Sequence, residues 1–541
     1  MRVILKGVEL TPPGAQSLRQ QIAGDKSNAS VDALLAHVVE LGATYAIVES
    51  PYTDRDYTSD YLNFYAGAFK AHARATKRVH FFRTDISKLF DLPLAEQVAN
   101  LERLAGENKN YCGFVVVRPI AQGPIGRTVL RFPSIKKLTV RPAARADFQS
   151  HVLGVRVNVT GAPFIQQDMR LGACAQAAIW MAGRAVEARH RRTSSYTIAE
   201  ITNLAINPTD SELSSSLPAG SEGLNPMHMI RALRGMGHQP LHMLFKDLDG
   251  GQLSSPTIKA PEVIHRYLDS GLPVVIAMAD MGHAVCAVGY VEVPGKALRE
   301  GGTHAVFARG LIVHDDQRGP YRILPLTEND IEHLPPERLM RGQQKILTVE
   351  DNVSHMFVPL PPRVFLRAEN ADIVVRDFIQ TTGYAADQIA KAVGNGNSKA
   401  AAEIRSFFAD VENKRWIQRT YLTTAARYRR HISLSKLDEL MKSEIVPRAL
   451  PHFIWVTELI DRSSKQDRRT GARQVVGHFV LNATSSTDYN NDILIAQFPH
   501  FVIHRDVNPV AENGDVLDDP AESMISFDEP GGYLGRTRTV V

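Results

Sequence analysis

The sequence contains little cysteine and no long apolar stretch, and both absences narrow the kinds of protein that it can encode. Three cysteines in 541 residues cannot form a disulfide framework, so we expect the protein to work in a reducing cytoplasm. No apolar run approaches the roughly 20 residues that a membrane-spanning helix needs. The first residues also lack the apolar core and the small-residue cleavage site of a secretion signal. We therefore expect a cytoplasmic protein that does not use the membrane.

Charge of one sign, internal repeats and cofactor motifs are equally scarce. A formal net charge of +4 on 541 residues is too weak to indicate nucleic acid as a partner. We find no repeat and no glycine-rich loop of the kind that binds phosphates. His238 and His242 are four apart, but Pro240 between them would break the helix that a zinc-binding pair needs. We therefore expect no cofactor, no metal and no nucleic-acid partner.

The sequence does contain enough apolar material for several hydrophobic cores. Its 44% hydrophobic and 22% charged residues are typical of a soluble globular protein. A chain of 541 residues is too long for one ordinary core, so we expect about two to four domains. Three modules fit the patterns along the chain, with boundaries near residues 155 and 335.

The most informative segment is the run from Gln166 to Met181, which puts one cysteine at the start of an apolar helix. The positive end of a helix favours a thiolate over a thiol, so Cys174 is better suited to attack than a cysteine in mid-core. In the loop before it, Gln167 or Gln166 could join the backbone N–H of Cys174 in stabilising an oxyanion. Cys112 and Cys286 lie in apolar strand-like runs, and we expect them to be buried packing residues.

Two later segments supply the groups that a cysteine nucleophile needs. His283 stands at the start of the strand-like run Ala284–Tyr290, and Asp315 ends a second run that begins at Leu311. An imidazole would hold the thiolate as an ion pair and then protonate the leaving amine. A carboxylate behind the imidazole would fix its tautomer and orientation, and both Asp315 and Asp316 are candidates for this role.

At these residues the sequence resembles the papain-like cysteine peptidases, and more closely the branch of the bacterial double-glycine (bacteriocin-processing) peptidases. Those proteins show a Gln before the cysteine, a Gly-x-Pro-Val-Ile run, a strand that starts Gly-His-x-Val, and a later strand that ends in Asp. The corresponding residues here are Gln167, Cys174, Gly271-Leu272-Pro273-Val274-Val275-Ile276, Gly282-His283-Ala284-Val285 and Val313-His314-Asp315. The resemblance covers roughly residues 160 to 330, about a third of the chain.

The resemblance implies a two-lobed domain with Cys174 as nucleophile, His283 as base and acid, and Asp315 rather than Asp316 as the orienting acid. It also implies an oxyanion role for Gln167, but the spacing departs from the family. Gln167 precedes the cysteine by seven positions where the family commonly has six, and Asp168 stands at the six-residue spacing, where an acid would repel an oxyanion. The choice between Gln166 and Gln167 therefore stays open.

The expected fold class is α+β, with a papain-like two-lobed cysteine peptidase domain between two other modules. Residues 1–155 mix helical and strand patterns, so an α/β or an α+β module is possible, and we take it as α/β. Residues 156–335 form the peptidase domain. Residues 336–541 are expected to be an α+β module with a mostly helical segment at 399–430, a β-hairpin and an acidic tail.

These patterns together predict a cysteine peptidase that cleaves a protein or peptide substrate through a thioester acyl-enzyme. The flanking modules would select substrates or bind a regulatory protein. Two alternatives remain: a transglutaminase or deamidase type of acyl transferase, and a papain-like binding module without chemistry. Ammonia release from a glutamine donor would favour the first, and thiol probes that fail to label Cys174 would favour the second.

Overall fold

The computed structural model divides the chain into two compact units. The first unit comprises Met1–Ala260, Leu272–Gly295 and Ala308–Leu360, and the second comprises Pro261–Gly271, Lys296–Phe307 and Pro361–Val541. The described residues are 3–107, 110–168, 173–190, 195–206, 223–246, 259–278, 281–294, 298–299, 301–394, 397–412, 415–464, 467, 473–485, 492–506 and 521–535.

The first unit begins with a seven-stranded sheet. The strands of this part of the chain are β1 (Ile4–Glu9), β2 (Tyr45–Tyr52), β3 (Thr76–Phe82), β4 (Tyr111–Val117), β5 (Ile125–Arg131), β6 (Thr139–Pro142), β7 (Ala146–Val152) and β8 (Val155–Phe164). The helices are α1 (Pro12–Ala23), α2 (Ala29–Glu40), α3 (Arg55–Asn63) and α4 (Leu94–Gly106). The sheet has the strand order β1-β2-β3-β4-β5-β8-β7.

Every described pairing in this sheet is antiparallel. An α/β module is built on parallel strands joined by crossover helices, so the expected α/β character of residues 1–155 is wrong. The alternative, an α+β module, is correct. Helices α2 and α3 begin where side chains cap them: Asn28 accepts a hydrogen bond from the N–H of Val31, and Asp54 accepts one from the N–H of Tyr57.

A second sheet completes the first unit. The helices that follow along the chain are α5 (Cys174–His190), α6 (Ile198–Ala205), α7 (Pro226–Gly235), α8 (Ala260–Asp269) and α9 (Val349–Asn352). All of α8 except its first residue belongs to the second unit. The strands are β9 (Gln239–Leu244), β10 (Val274–Met278), β11 (His283–Glu292), β12 (Ala308–Asp315), β13 (Gly319–Pro325) and β14 (His355–Leu360). Their order is β13-β12-β11-β10-β14-β9, and β6 pairs with β11.

Helix α5 is the central helix of the first unit. The residues Ala177–Ala182 are almost fully buried, and the helix packs against β7, β8, β10 and β11. A helix that is apolar on all sides is stable only inside a core. Since α5 begins at Cys174, this packing fixes the position of the thiol.

The second unit contains a third seven-stranded sheet. Its helices are α10 (Ala368–Tyr384), α11 (Ala386–Gly394), α12 (Ser398–Glu412), α13 (Ala425–Ser433) and α14 (Glu439–Ile445). Its strands are β15 (Trp416–Thr424), β16 (Phe453–Asp461), β17 (Arg473–Asn482), β18 (Ile493–Phe498), β19 (Phe501–Asp506), β20 (Ala521–Ser526) and β21 (Tyr533–Gly535). The order is β15-β16-β17-β18-β19-β20, with β21 on β17.

One expectation for this unit is confirmed, and another holds except for one strand. The predicted hairpin is the antiparallel pair β16 and β17. The predicted mostly helical segment at 399–430 is interrupted by β15, which pairs along its whole length with β16. The aromatic and β-branched residues of 416–424 suit a strand, and the neighbouring strand decides their conformation. Of the predicted tail, 507–520 and 536–541 lie outside the described residues, whereas β20 pairs with β19.

Within the described ranges, no helix combines the length and the apolar composition that crossing a bilayer requires.

Candidate active site

Cys174 lies where the start of α5 meets the start of β11. Its Sγ accepts a hydrogen bond from the backbone N–H of Ala284 at 3.3 Å, and it lies 3.8 Å from the carbonyl oxygen of Gly282. The side chain is partly exposed, whereas Cys112 and Cys286 are buried. The structure therefore gives solvent access to the one cysteine that the sequence selects as nucleophile, and it buries the other two.

His283 is the first residue of β11, and its ring is 5% exposed. Nε2 lies 3.1 Å from Oδ1 of Asp315. Nδ1 is buried and makes no hydrogen bond of ordinary geometry within the described chain. The Cys174 thiol is near enough to contribute to the raised pKa of the ring. The imidazole is thus hydrogen-bonded to the carboxylate, with the thiol close by.

The environment of His283 favours its protonated form. Burial lowers the pKa of the imidazole, but hydrogen bonds with Asp315 and Cys174, together with the nearby carboxylate charges, outweigh burial and raise the pKa to about 10. At neutral pH the ring is then an imidazolium beside the sulfur of Cys174. A cation in that position stabilises a thiolate.

Asp315 is the last residue of β12 and is fully buried. Its Oδ1 also accepts hydrogen bonds from the backbone N–H groups of Gln317, at 2.9 Å, and Arg318, at 3.1 Å. The guanidinium of Arg318 lies 2.9 Å from Oδ2. Burial raises the pKa of Asp315, but His283, Arg318 and the Gln317 N–H outweigh it and lower that pKa. Asp315 is therefore a fixed anion behind the imidazole.

Asp316, the other candidate acid, has a different environment. Both of its carboxylate oxygens are buried and have no hydrogen-bond partner within the described chain. Burial raises its pKa to about 7; the charge of Asp315 adds to this effect and that of His283 opposes it. The structure therefore brings Asp315, and not Asp316, into hydrogen bonding with His283.

The pairing of two strands brings the imidazole and the carboxylate together. β11 and β12 are antiparallel, and Cys286 lies opposite His314. The beginning of β11 is therefore next to the end of β12, at one edge of the sheet. This explains why a histidine that opens one strand can contact an aspartate that closes another.

The two candidate oxyanion amides lie in the loop before α5, and one of them, Gln166, is hydrogen-bonded to other residues. Nε2 of Gln166 donates to Oδ1 of Asn28 at 3.1 Å, and its Oε1 accepts from the N–H of Ile125 at 3.3 Å. The side chain of Gln166 therefore binds the first sheet and the cap of α2. Gln167 is also buried and lies one residue nearer to Cys174; residues 169–172, between it and the cysteine, fall outside the described chain. The oxyanion role of Gln167 stays a prediction.

Asp168, the acid at the six-residue spacing, is bound by a residue that the sequence did not single out for the site. The hydroxyl of Tyr65 donates to its Oδ2 at 2.5 Å, and both residues are buried. Burial and the carboxylate charge raise the pKa of Tyr65, so the phenol keeps its proton and remains a donor. The carboxylate of Asp168 is thus oriented by Tyr65.

Two positioning groups were missed at the sequence level. Arg318 forms an ion pair with Asp315, and its position three residues after a strand-ending acid is a signal that could have indicated it. The backbone N–H of Ala284 that contacts Sγ has no signal in the sequence, because any residue at that position carries the same group.

The same three residues also bring metal-binding atom types together. His283, Asp315 and Asp316 each offer one donor atom within 4.8 Å of the others. In the structure, Nε2 of His283 and Oδ1 of Asp315 form a hydrogen-bonded pair.

A glycine in the β4–β5 turn makes room for the amide-bearing loop. A Cβ at position 123 would lie 2.4 Å from the carbonyl oxygen of Gln167 and 2.9 Å from Cα of Asp168. Gly123→Ala should therefore displace this backbone, slow alkylation of Cys174 and destabilise the protein by about 1–3 kcal/mol. Urea unfolding and alkylation rates measure both effects. The matched control is Gly67→Ala, which meets nothing within 4 Å; equal stability of the two variants would contradict the prediction.

No protein-family model matches the sequence, and no curated protein matches it significantly.

Proposed function

We propose that this protein is a papain-like cysteine hydrolase that acts as a peptidase, with Cys174 as nucleophile. The observation that carries the proposal is the geometry at the start of β11. The N–H of Ala284 donates to Sγ of Cys174 at 3.3 Å, and Nε2 of the adjacent His283 lies 3.1 Å from the Asp315 carboxylate. The resemblance of residues 160–330 to double-glycine peptidases supports a peptide substrate. The order of elements also supports it, because the helices α5, α6 and α7 precede the sheet that carries His283 and Asp315.

The proposed reaction follows from the charges of the three groups. The thiolate of Cys174 attacks the carbonyl carbon of a peptide, a C–S bond forms, and the carbonyl oxygen becomes an oxyanion. The backbone N–H of Cys174 and the Gln167 amide would stabilise this oxyanion. His283 then gives its proton to the leaving amine, the C–N bond breaks, and a thioester remains.

The second half of the reaction returns the enzyme to its starting state. Neutral His283 removes a proton from water, and the resulting hydroxide attacks the thioester and releases the carboxylic acid. The Cys174 thiolate leaves beside the newly formed imidazolium. Asp315 stabilises that imidazolium in both halves of the cycle.

Of the two alternatives to a peptidase, the acyl transferase would share the acyl-enzyme, whereas the binding module would form none. An acyl transferase would pass the acyl group to an amine, and with a glutamine donor it would release ammonia in the first step. A binding module would show no selective reactivity at Cys174. Product analysis with fluorogenic peptides and with glutamine-containing peptides separates these three outcomes.

We expect iodoacetamide at about pH 6 to alkylate Cys174 and to leave Cys112 and Cys286 unmodified. Burial raises the pKa of both other thiols, whereas His283 remains an imidazolium up to a pKa of about 10. His283→Ala should slow alkylation of Cys174 roughly 10- to 100-fold at mildly acidic pH, because the thiol must then ionise without a cation. The difference should disappear above about pH 9, where the isolated thiol ionises by itself.

The measurement is peptide mass spectrometry of the native protein over a range of pH. The matched control is His355→Ala, which removes another buried histidine of the same sheet; its Nδ1 lies 3.0 Å from Nε2 of His242. Equal labelling of the three cysteines, or no effect of His283→Ala, would remove the thiolate–imidazolium pair and leave the binding module as the better proposal.

A further inference from the structure

Three metal-ligating side chains meet in the interior of the second unit. His265 and Asp269 are four residues apart on α8, so their side chains lie on the same face of that helix. His304 begins the short 3₁₀ helix His304–Phe307. The three residues are 1%, 1% and 3% exposed, respectively. The spacing along α8 is a local signal, but nothing in the sequence associates it with residue 304.

The geometry of the group is close to that of a metal site. One donor atom from each side chain lies within 4.8 Å of the other two. Ligand atoms bound to one tetrahedral zinc ion are roughly 3.3 Å apart, as bond lengths near 2.0–2.1 Å require. Side-chain movements of roughly 1.5 Å or less would therefore bring the three donors to an ion.

The hydrogen bonding of His304 favours the same conclusion. Both ring nitrogens of His304 are buried and make no hydrogen bond of ordinary geometry within the described chain, and Nδ1 lies 2.8 Å from Oδ2 of Asp269. A buried ring nitrogen of this kind is a donor atom available to a ligand.

Neighbouring residues hold the ligands in place, as second-sphere contacts do in metal sites. Nε of Arg419 lies 3.1 Å from Oδ2 of Asp269, and its Nη1 lies 3.0 Å from Glu458. The chain just before His304 is bound to β15 through a 2.8 Å hydrogen bond from the N–H of Gln418 to the carbonyl of Gly302.

We propose that His265, Asp269 and His304 form a binding site for a zinc-type divalent cation that ties α8 to the 301–307 segment within the second unit. Two imidazoles and one carboxylate are borderline ligands that suit zinc better than calcium or magnesium. Water would complete the coordination. The site is independent of the proposed peptidase function, because none of its residues belongs to the Cys174 site.

The test is zinc binding by the full-length protein without a histidine tag. Cys174→Ala serves as the parent, so that the thiol of the candidate active site does not bind zinc. The parent is stripped with a chelator, titrated with Zn²⁺ by equilibrium dialysis, and analysed for bound metal by atomic emission. We expect one zinc ion per chain, and His304→Ala or His265→Ala in the same background should weaken binding about 100-fold or more.

The matched control is His504→Ala, which removes another buried histidine of the second unit. It should bind zinc like the parent. Zn²⁺ should also raise the unfolding temperature of the parent and of this control, but not of His304→Ala. If the alanine variants do not fold, His304→Gln replaces them, and the cobalt absorption spectrum of the parent reports the tetrahedral site directly. No saturable zinc binding by the parent, or binding that His304→Ala leaves unchanged, would overturn the proposal.

Discussion

Cys174→Ala should abolish hydrolysis while the protein stays folded, with kcat/KM reduced by roughly 10⁴- to 10⁶-fold. The thiol is the only atom group in the variant that is lost, and it lies partly exposed at the first residue of α5. The core below it, from Ala177 to Ala182, is almost fully buried, and Cys174 packs only at its edge with a partly buried side chain. The expected result is therefore a large loss of activity at nearly constant stability.

The measurement combines peptide hydrolysis with thermal unfolding. A mixture of fluorogenic peptides that the wild-type protein cleaves provides the rate, and the unfolding temperature reports the fold. Cys112→Ala is the matched control, because it removes a fully buried thiol from β4; it should lower stability and keep activity. Wild-type turnover by folded Cys174→Ala protein would exclude the peptidase mechanism proposed here.

Asp315→Asn should lower kcat/KM by roughly 10³- to 10⁴-fold, the effect of removing the orienting carboxylate from a catalytic triad. The hydrogen bond and the charge of Asp315 are the main causes that raise the pKa of His283 to about 10 against burial. An amide supplies no charge, so the pKa of His283 should fall and its protonated form should be lost at lower pH. Alkylation of Cys174 should then depend on pH as it does in His283→Ala.

The neighbouring acid provides the control for this experiment. Asp316→Asn also removes a buried carboxylate, but one that makes no hydrogen bond within the described chain. It should change kcat/KM less than about tenfold, an effect of charge alone. Unfolding temperatures of both variants show whether the hydrogen bonds from Gln317 and Arg318 survive with asparagine at 315. A larger loss in Asp316→Asn than in Asp315→Asn would reverse the roles of the two acids.

The elements that carry the candidate site were predictable because their patterns are local. An apolar run after Cys174 indicates a buried helix, and the strand patterns around His283 and Asp315 depend on neighbours two residues apart. The segment 416–424 shows the limit of such patterns. It follows a helix and precedes another, and only its pairing with β16 makes it a strand.

The choice between the two candidate amides and the choice between the two candidate acids depended on contacts with residues that are distant along the chain. Asn28 binds the side chain of Gln166, and the contact joins residues 138 positions apart. The choice between Asp315 and Asp316 depends on which carboxylate reaches a ring 32 positions away. A pattern within a short stretch of sequence cannot show contacts between residues so far apart along the chain.

The sequence by itself determined the candidate nucleophile, the candidate histidine and a pair of neighbouring candidate acids, since residue type and local periodicity are properties of the chain. Only the tertiary structure decided which acid contacts His283, which amide is bound elsewhere, and that His304 lies beside His265 and Asp269. The physical reason is that hydrogen bonds and metal–ligand bonds act over a few ångströms in space. Which groups come within that range is decided by how helices and strands pack, and packing depends on the whole chain.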